Sequence, residues 1–101
     1  MRTSNSRIIT LCGSLMFKDD FLREEKRLTL EGYVVFSHCI FDKLKKVKQI
    51  KLLEDLHKRK ILIGSEILVI NKGGYIGEST TKEIAFARKH RKIIKFMENE
   101  H

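Results

Sequence analysis

The chain has 101 residues, 42% hydrophobic, 34% charged and 8% aromatic, with six Gly, two Cys and neither Pro nor Trp. This composition fits one small globular domain over residues 1–101 and excludes a disordered chain, which carries fewer aliphatics and more Pro. The net charge of +8, from 21 Lys and Arg against 13 Asp and Glu, calls for an anionic partner or a well-solvated surface, with nucleic acid, nucleotides and phosphorylated metabolites all in range.

Residues 7–12 (RIITLC) form a short apolar run that stops at Gly13-Ser14, the pattern of a buried strand and a tight turn. Residues 17–31 carry charge, with Phe17, Phe21 and Leu28 spaced for one helical face and Gly32 as the stop. Residues 33–37 (YVVFS) read as a second strand. Residues 44–60 read as a second, Lys-rich helix with Leu44, Val47, Leu53 and Leu56 as its apolar positions.

Residues 66–71 (EILVIN) give a third strand, and residues 72–79 (KGGYIGES) a glycine-rich loop. A helix over residues 80–90 and a fourth strand over residues 92–96 (KIIKF) follow, and the last five residues are expected to fray or to dock on a partner chain. Strands alternating with helices imply parallel pairing. The expected fold is a three-layer α/β sandwich around a doubly wound parallel sheet of four or five strands in the order 2-1-3-4, with the first and last helices on one face and the Lys-rich helix on the other.

No apolar run approaches the roughly 18 residues of a membrane span. Residues 1–7 lack the apolar core of a signal peptide, so a cytoplasmic protein without membrane contact is expected. Cys12 and Cys39 lack CxxC spacing and read as buried free thiols. Cys12, His38, Cys39 and His57 include zinc-ligand types, but their spacing matches no finger or ribbon, so neither metal nor cofactor is expected.

Ligands of doubly wound sheets bind beyond the carboxyl ends of the strands, where strand order reverses. In this topology that point joins the Gly13-Ser14 turn to the loop at residues 72–79. Ser79, Thr80 and Thr81 at the start of the third helix offer hydroxyls and free N–H groups to an anion, and Gly73, Gly74 and Gly77 allow close backbone approach. Glu83 reads in two ways. In the spacing Thr80-x-x-Glu83 it closes a capping box, or from the first turn it faces the pocket as a nucleophile.

The stretches LCGSLMF (residues 11–17) and LHKRKILIGSEILVINKGGYIGESTTKEIAFA (residues 56–87) resemble the nucleoside 2-deoxyribosyltransferase-like superfamily, in particular its small bacterial and phage branch. The resemblance implies a flavodoxin-like, Rossmann-like fold and chemistry at the N-glycosidic bond of a nucleoside or nucleoside 5′-monophosphate. It makes Glu83 the catalytic carboxylate and places Gly13, Ser14, Asn71, Gly77, Ser79, Thr80 and Thr81 around the sugar or its phosphate. It also implies a homodimer or higher homo-oligomer.

The match departs from the family at several positions. His57 stands where active members carry an Asp, and is expected as a proton donor; its other reading is a surface residue beside Lys58. Leu62 and Ser65 replace two Asp, Met16 replaces an Arg, and the family's first-strand Tyr falls at Thr10 or Leu11, leaving Tyr75 to substitute from the other loop. Two further functions fit the sequence. One is a non-catalytic nucleotide binder or sensor using the same pocket. The other is a nucleic-acid-binding accessory protein relying on Lys45, Lys46, Lys48, Lys51, Lys58 and Arg59, although no aromatic platform interleaves that run.

Overall fold

The computed structural model describes residues 7–38 and 47–98; Cys39, Leu44, Lys45 and Lys46 lie outside them. Four strands, β1 (Ile8–Gly13), β2 (Val34–Phe36), β3 (Glu66–Ile70) and β4 (Ile93–Phe96), alternate with three helices, α1 (Lys18–Leu30), α2 (Val47–Ile63) and α3 (Glu78–Lys89). The strands form one sheet in the order β2-β1-β3-β4 with every neighbouring pair parallel. This is the small flavodoxin-like or Rossmann-like α/β architecture expected from the alternation of elements.

The two central strands are apolar because both of their faces are covered. Ile9 and Leu11 of β1 and Leu68 and Ile70 of β3 pack with Phe21 and Leu28 of α1 on one side. The opposite side joins Cys12, Ile67 and Val69 to Ile61 of α2 and to Ile84 and Ala87 of α3. Truncating any of the large residues in either cluster to Ala costs about 2–5 kcal/mol.

These clusters correct the expected layering. α1 covers one face alone, and α2 and α3 share the other. The reason is geometric: the crossover from β1 to β2 travels one way across the sheet, whereas those from β2 to β3 and from β3 to β4 travel the other way. With a constant right-handed crossover, the direction of travel decides the face.

Two boundaries also differ. α3 begins at Glu78, ahead of Thr80, with Gly77 as its N-cap and no side-chain cap bond. After β4 the chain does not fray as far as residue 98. Met97 N–H donates to the Val69 carbonyl at 2.8 Å, and the Asn71 side chain donates to the Glu98 carbonyl at 3.0 Å and accepts from Glu98 N–H at 2.8 Å. At the opposite end of β3, the 1% exposed Glu66 carboxylate is held by Arg7 Nε at 2.6 Å and Lys95 Nζ at 2.8 Å. Among the described residues no helix is long and apolar enough to cross a membrane.

Candidate functional site

Gly13 ends β1 where the sheet reverses, and only glycine fits there: a Cβ would lie 2.8 Å from the Ile70 carbonyl oxygen. Ser14 then starts a single 3₁₀ turn, its Oγ accepting from Met16 N–H at 3.3 Å. The chain leaving β3 makes its own short turn at Lys72–Gly74, with φ values of 65° at Gly73 and 83° at Gly74. Between the Gly13-Ser14 turn, α2, and the chain from Tyr75 into the start of α3 lies a cavity of about 860 Å³, lined by Gly13, Ser14, His57, Tyr75, Thr80 and Glu83 among others. That volume is in the range of small-molecule sites.

Four side chains from four different elements meet at its edge, where His38, His57 and Glu83 line it and Cys12 is buried beside His57. Cys12 comes from β1, His38 from the segment after β2, His57 from α2 and Glu83 from α3. Cys12 Sγ is 3.5 Å from His57 Nε2. Glu83 Oε1 is 3.7 Å from His57 Nε2, and Glu83 Oε2 is 3.9 Å from His38 Nε2. The two imidazoles stack with ring centroids 3.8 Å apart and planes within 8°, while Phe21 meets His38 edge-on.

The local fold explains this convergence. His57 and Ile61 are the two buried residues of α2, one turn apart on its inner face. Thr10 Oγ1 donates to the Lys60 carbonyl at 3.1 Å, and Lys60 Nζ donates to the Ser37 carbonyl at 2.7 Å. These bonds tie the end of α2 to β1 and to the segment carrying His38.

Burial governs the electrostatics. It pushes the Glu83 carboxyl up to about 7, opposed by the neighbouring Cys12 thiol and by Lys58 and helped by nearby Glu54. Burial also drives His57 down to about 3, with His38 and Lys60 adding to the fall. His38 drops to about 4 through burial and Lys60. The Cys12 thiol is raised by burial and by Glu83. At neutral pH both imidazoles are therefore neutral, and Glu83 passes readily between its two forms. Glu83 Oε1, His38 Nε2 and His57 Nδ1 are buried without a hydrogen-bond partner among the described residues.

Of the residues singled out in the sequence, Gly13, Ser14, His57, Tyr75, Gly77, Ser79, Thr80 and Glu83 line this cavity. Glu83 is not folded back in a capping box, since its carboxylate faces the two histidines. His57 is 3% exposed, not a surface residue, and its lowered pKa leaves it without the imidazolium proton a donor needs near neutral pH. Tyr75 leans edge-on against Phe17 at 6.0 Å, and a Cβ at residue 77 would come within 3.1 Å of its hydroxyl.

Four residues stand apart. Gly73 and Gly74 make the turn after β3 and do not line the cavity. Asn71 spends its amide on Glu98, and Thr81 Oγ1 donates at 2.9 Å to the Gly77 carbonyl of its own helix. Glu54 and the apolar Ile50, Leu53 and Leu56 of α2 also line the cavity, and sequence reasoning did not assign them to it. The signal was present, since α2 lies across the carboxyl end of β1 in the topology it predicted.

Cys12, His57 and Glu83 each bring one potential ligand atom within 4.8 Å of the others. Fold and site together define a small parallel α/β domain with a ligand-sized cavity at the sheet's switch point and an acid–imidazole–thiol cluster beside it. No family model matches the chain, and no curated protein matches it.

Proposed function

We propose that this protein acts on the N-glycosidic bond of a nucleoside or nucleoside 5′-monophosphate, as a deoxyribosyltransferase or N-hydrolase, with Glu83 as nucleophile. The observation that carries the reading is the placement of the Glu83 carboxylate in the cavity shared by the Gly13-Ser14 turn and the residue 72–79 loop. A carboxylate opposite an anomeric carbon stabilises oxocarbenium-like charge and can form a glycosyl ester. In that step Glu83 bonds to C1′ as the C1′–N bond breaks, and the base leaves with the electron pair and takes a proton from solvent. Water or a second base then attacks C1′ and frees the carboxylate.

The remaining lining residues fit supporting roles. The first N–H groups of α3 have no partners within the helix, and beside Ser79 and Thr80 they suit a 5′-phosphate. Tyr75, on the cavity wall, suits orienting the sugar or base. Neutral His57, 3.7 Å from Glu83 Oε1, flanks the carboxylate. Exposed Val47, Leu52, Leu62 and Ile63 on α2 support the homodimer; analytical ultracentrifugation tests it, and a monomer at high concentration overturns it.

Chelator-treated protein is incubated with a panel of deoxynucleosides and their 5′-monophosphates, and free base is measured by chromatography. The expected result is base release by the wild type and none by Glu83→Gln. Thermal stabilisation by a monophosphate without base release replaces this reading with a non-catalytic binder; saturation at a hundred times the dissociation constant adds about 2.7 kcal/mol. DNA affinity that falls steeply with salt and ignores Glu83→Gln favours the nucleic-acid reading.

A further inference from the structure

We propose that Cys12 Sγ, His57 Nε2 and Glu83 Oε1 form a three-ligand site for a zinc-class divalent cation, with the fourth position open to the cavity. The proposal goes beyond the sugar chemistry and does not depend on it. Its starting point is distance. With metal–sulfur bonds near 2.3 Å and metal–nitrogen or metal–oxygen bonds near 2.0–2.2 Å, tetrahedral angles place neighbouring ligand atoms roughly 3.4–3.6 Å apart. The structure has 3.5 Å from Cys12 Sγ to His57 Nε2 and 3.7 Å from His57 Nε2 to Glu83 Oε1, with all three atoms within 4.8 Å.

Chemistry narrows the ion. A thiolate, an imidazole and one carboxylate oxygen are a borderline-soft set that selects zinc, cobalt or copper over magnesium or calcium. A doubly charged ion with one thiolate and one carboxylate makes a neutral buried centre, the thiol proton and any carboxyl proton leaving to solvent on binding. The ligands rise from β1, α2 and α3, all rigid elements. Without an ion, Glu83 Oε1 is a buried oxygen with no hydrogen-bond partner among the described residues, a costly arrangement for a polar atom.

His38 is not the fourth ligand. Its ring lies parallel to that of His57 at 3.8 Å, so an ion in the plane of one imidazole is out of the plane of the other. His38 instead walls the site on one side, and His57 and Glu83 carry it to the cavity they line. Ion and sugar compete for Glu83, so a bound ion holds the carboxylate away from an anomeric carbon.

Cobalt(II) titration of the full chain tests the site. The expected result is one equivalent bound, with the intense visible bands of four-coordinate cobalt, a sulfur-to-cobalt charge-transfer band, and loss of both on adding zinc. Cys12→Ser removes the charge-transfer band and weakens zinc binding by roughly a hundredfold, while Cys39→Ser leaves both unchanged. Should Cys12→Ser fail to fold by circular dichroism, Glu83→Gln decides instead: it keeps the charge-transfer band and weakens binding by at least about tenfold. Weak bands only, a band lost in Cys39→Ser and kept in Cys12→Ser, or wild-type affinity in Glu83→Gln overturns the proposal. Cobalt bands without base release sink the glycosidic reading alone, and base release without cobalt bands sinks the metal site alone.

Discussion

Glu66 and Glu83 are both largely withdrawn from water, one where β3 begins and the other beside the end of β1, and the protein treats them in opposite ways. Glu66 receives Arg7 and Lys95 at 2.6 and 2.8 Å, and these bonds outweigh the upward push of burial to hold its carboxyl below the usual range. Among the described residues Glu83 has two neutral imidazoles and a thiol beside it, and Lys58 offsets only part of the burial that carries it up to about 7. Equal chemistry thus becomes a structural clamp at one end of the sheet and a poised group at the other. The difference lies in whether cations reach the carboxylate.

The largest expected effect tests the poised end. Glu83→Gln lowers base release by about a thousandfold or more without lowering the melting temperature; a variant that keeps its rate erases the contrast. Glu66→Ala comes next. It removes a charged hydrogen bond to Arg7 and an ion pair with Lys95 and lowers stability by about 2–3 kcal/mol in urea unfolding, yet spares thermal stabilisation by a monophosphate relative to its own baseline.

A third measurement sharpens the comparison through pH. A carboxyl raised in the folded state stabilises below its unfolded pKa and loses that contribution as pH rises through about 7. Glu83→Gln should therefore be more stable than wild type at pH 8, by about 1–2 kcal/mol, with the gain gone at pH 4. Glu66 behaves with the opposite sign: its lowered pKa gives stability that is lost as pH falls through the folded value.

The histidines add to the acid limb. With folded values of about 3 and 4 for His57 and His38, stability falls as pH drops below their ordinary 6.5. His38→Gln should flatten that slope, read from chemical unfolding at several pH values. The smallest effect belongs to Thr81→Ala, about 0.5 kcal/mol or less with no change in ligand binding, since its hydroxyl serves its own helix.

Much of this could be read in advance from particular residues. The apolar runs of β1 and β3, the stop at Gly32 and the glycines after β3 carried the topology, because periodicity and turn chemistry are local properties. Glu83 stayed ambiguous because the capping-box spacing and the pocket-facing spacing are the same four residues, and only the start of α3 at Glu78 separates them. Asn71 and Thr81 carried the right chemistry on either side of the right loop, but their partners, Glu98 and Gly77, are set by packing. The meeting of Cys12 with His57, 45 positions away, had no spacing rule to announce it.

By itself the sequence determined that strands and helices alternate, that the sheet is parallel in the order 2-1-3-4, and that two hydroxyl- and glycine-bearing turns meet at its switch point. Hydrophobic period, crossover length and handedness are enough for that. The same crossover rule already implies that α2 and α3 share a face; only the tertiary structure decided that His38, His57, Cys12 and Glu83 form one buried cluster. A pKa, a ligand distance or a stacked ring depends on what lies within a few ångströms, and such neighbours come from residues far apart in the chain.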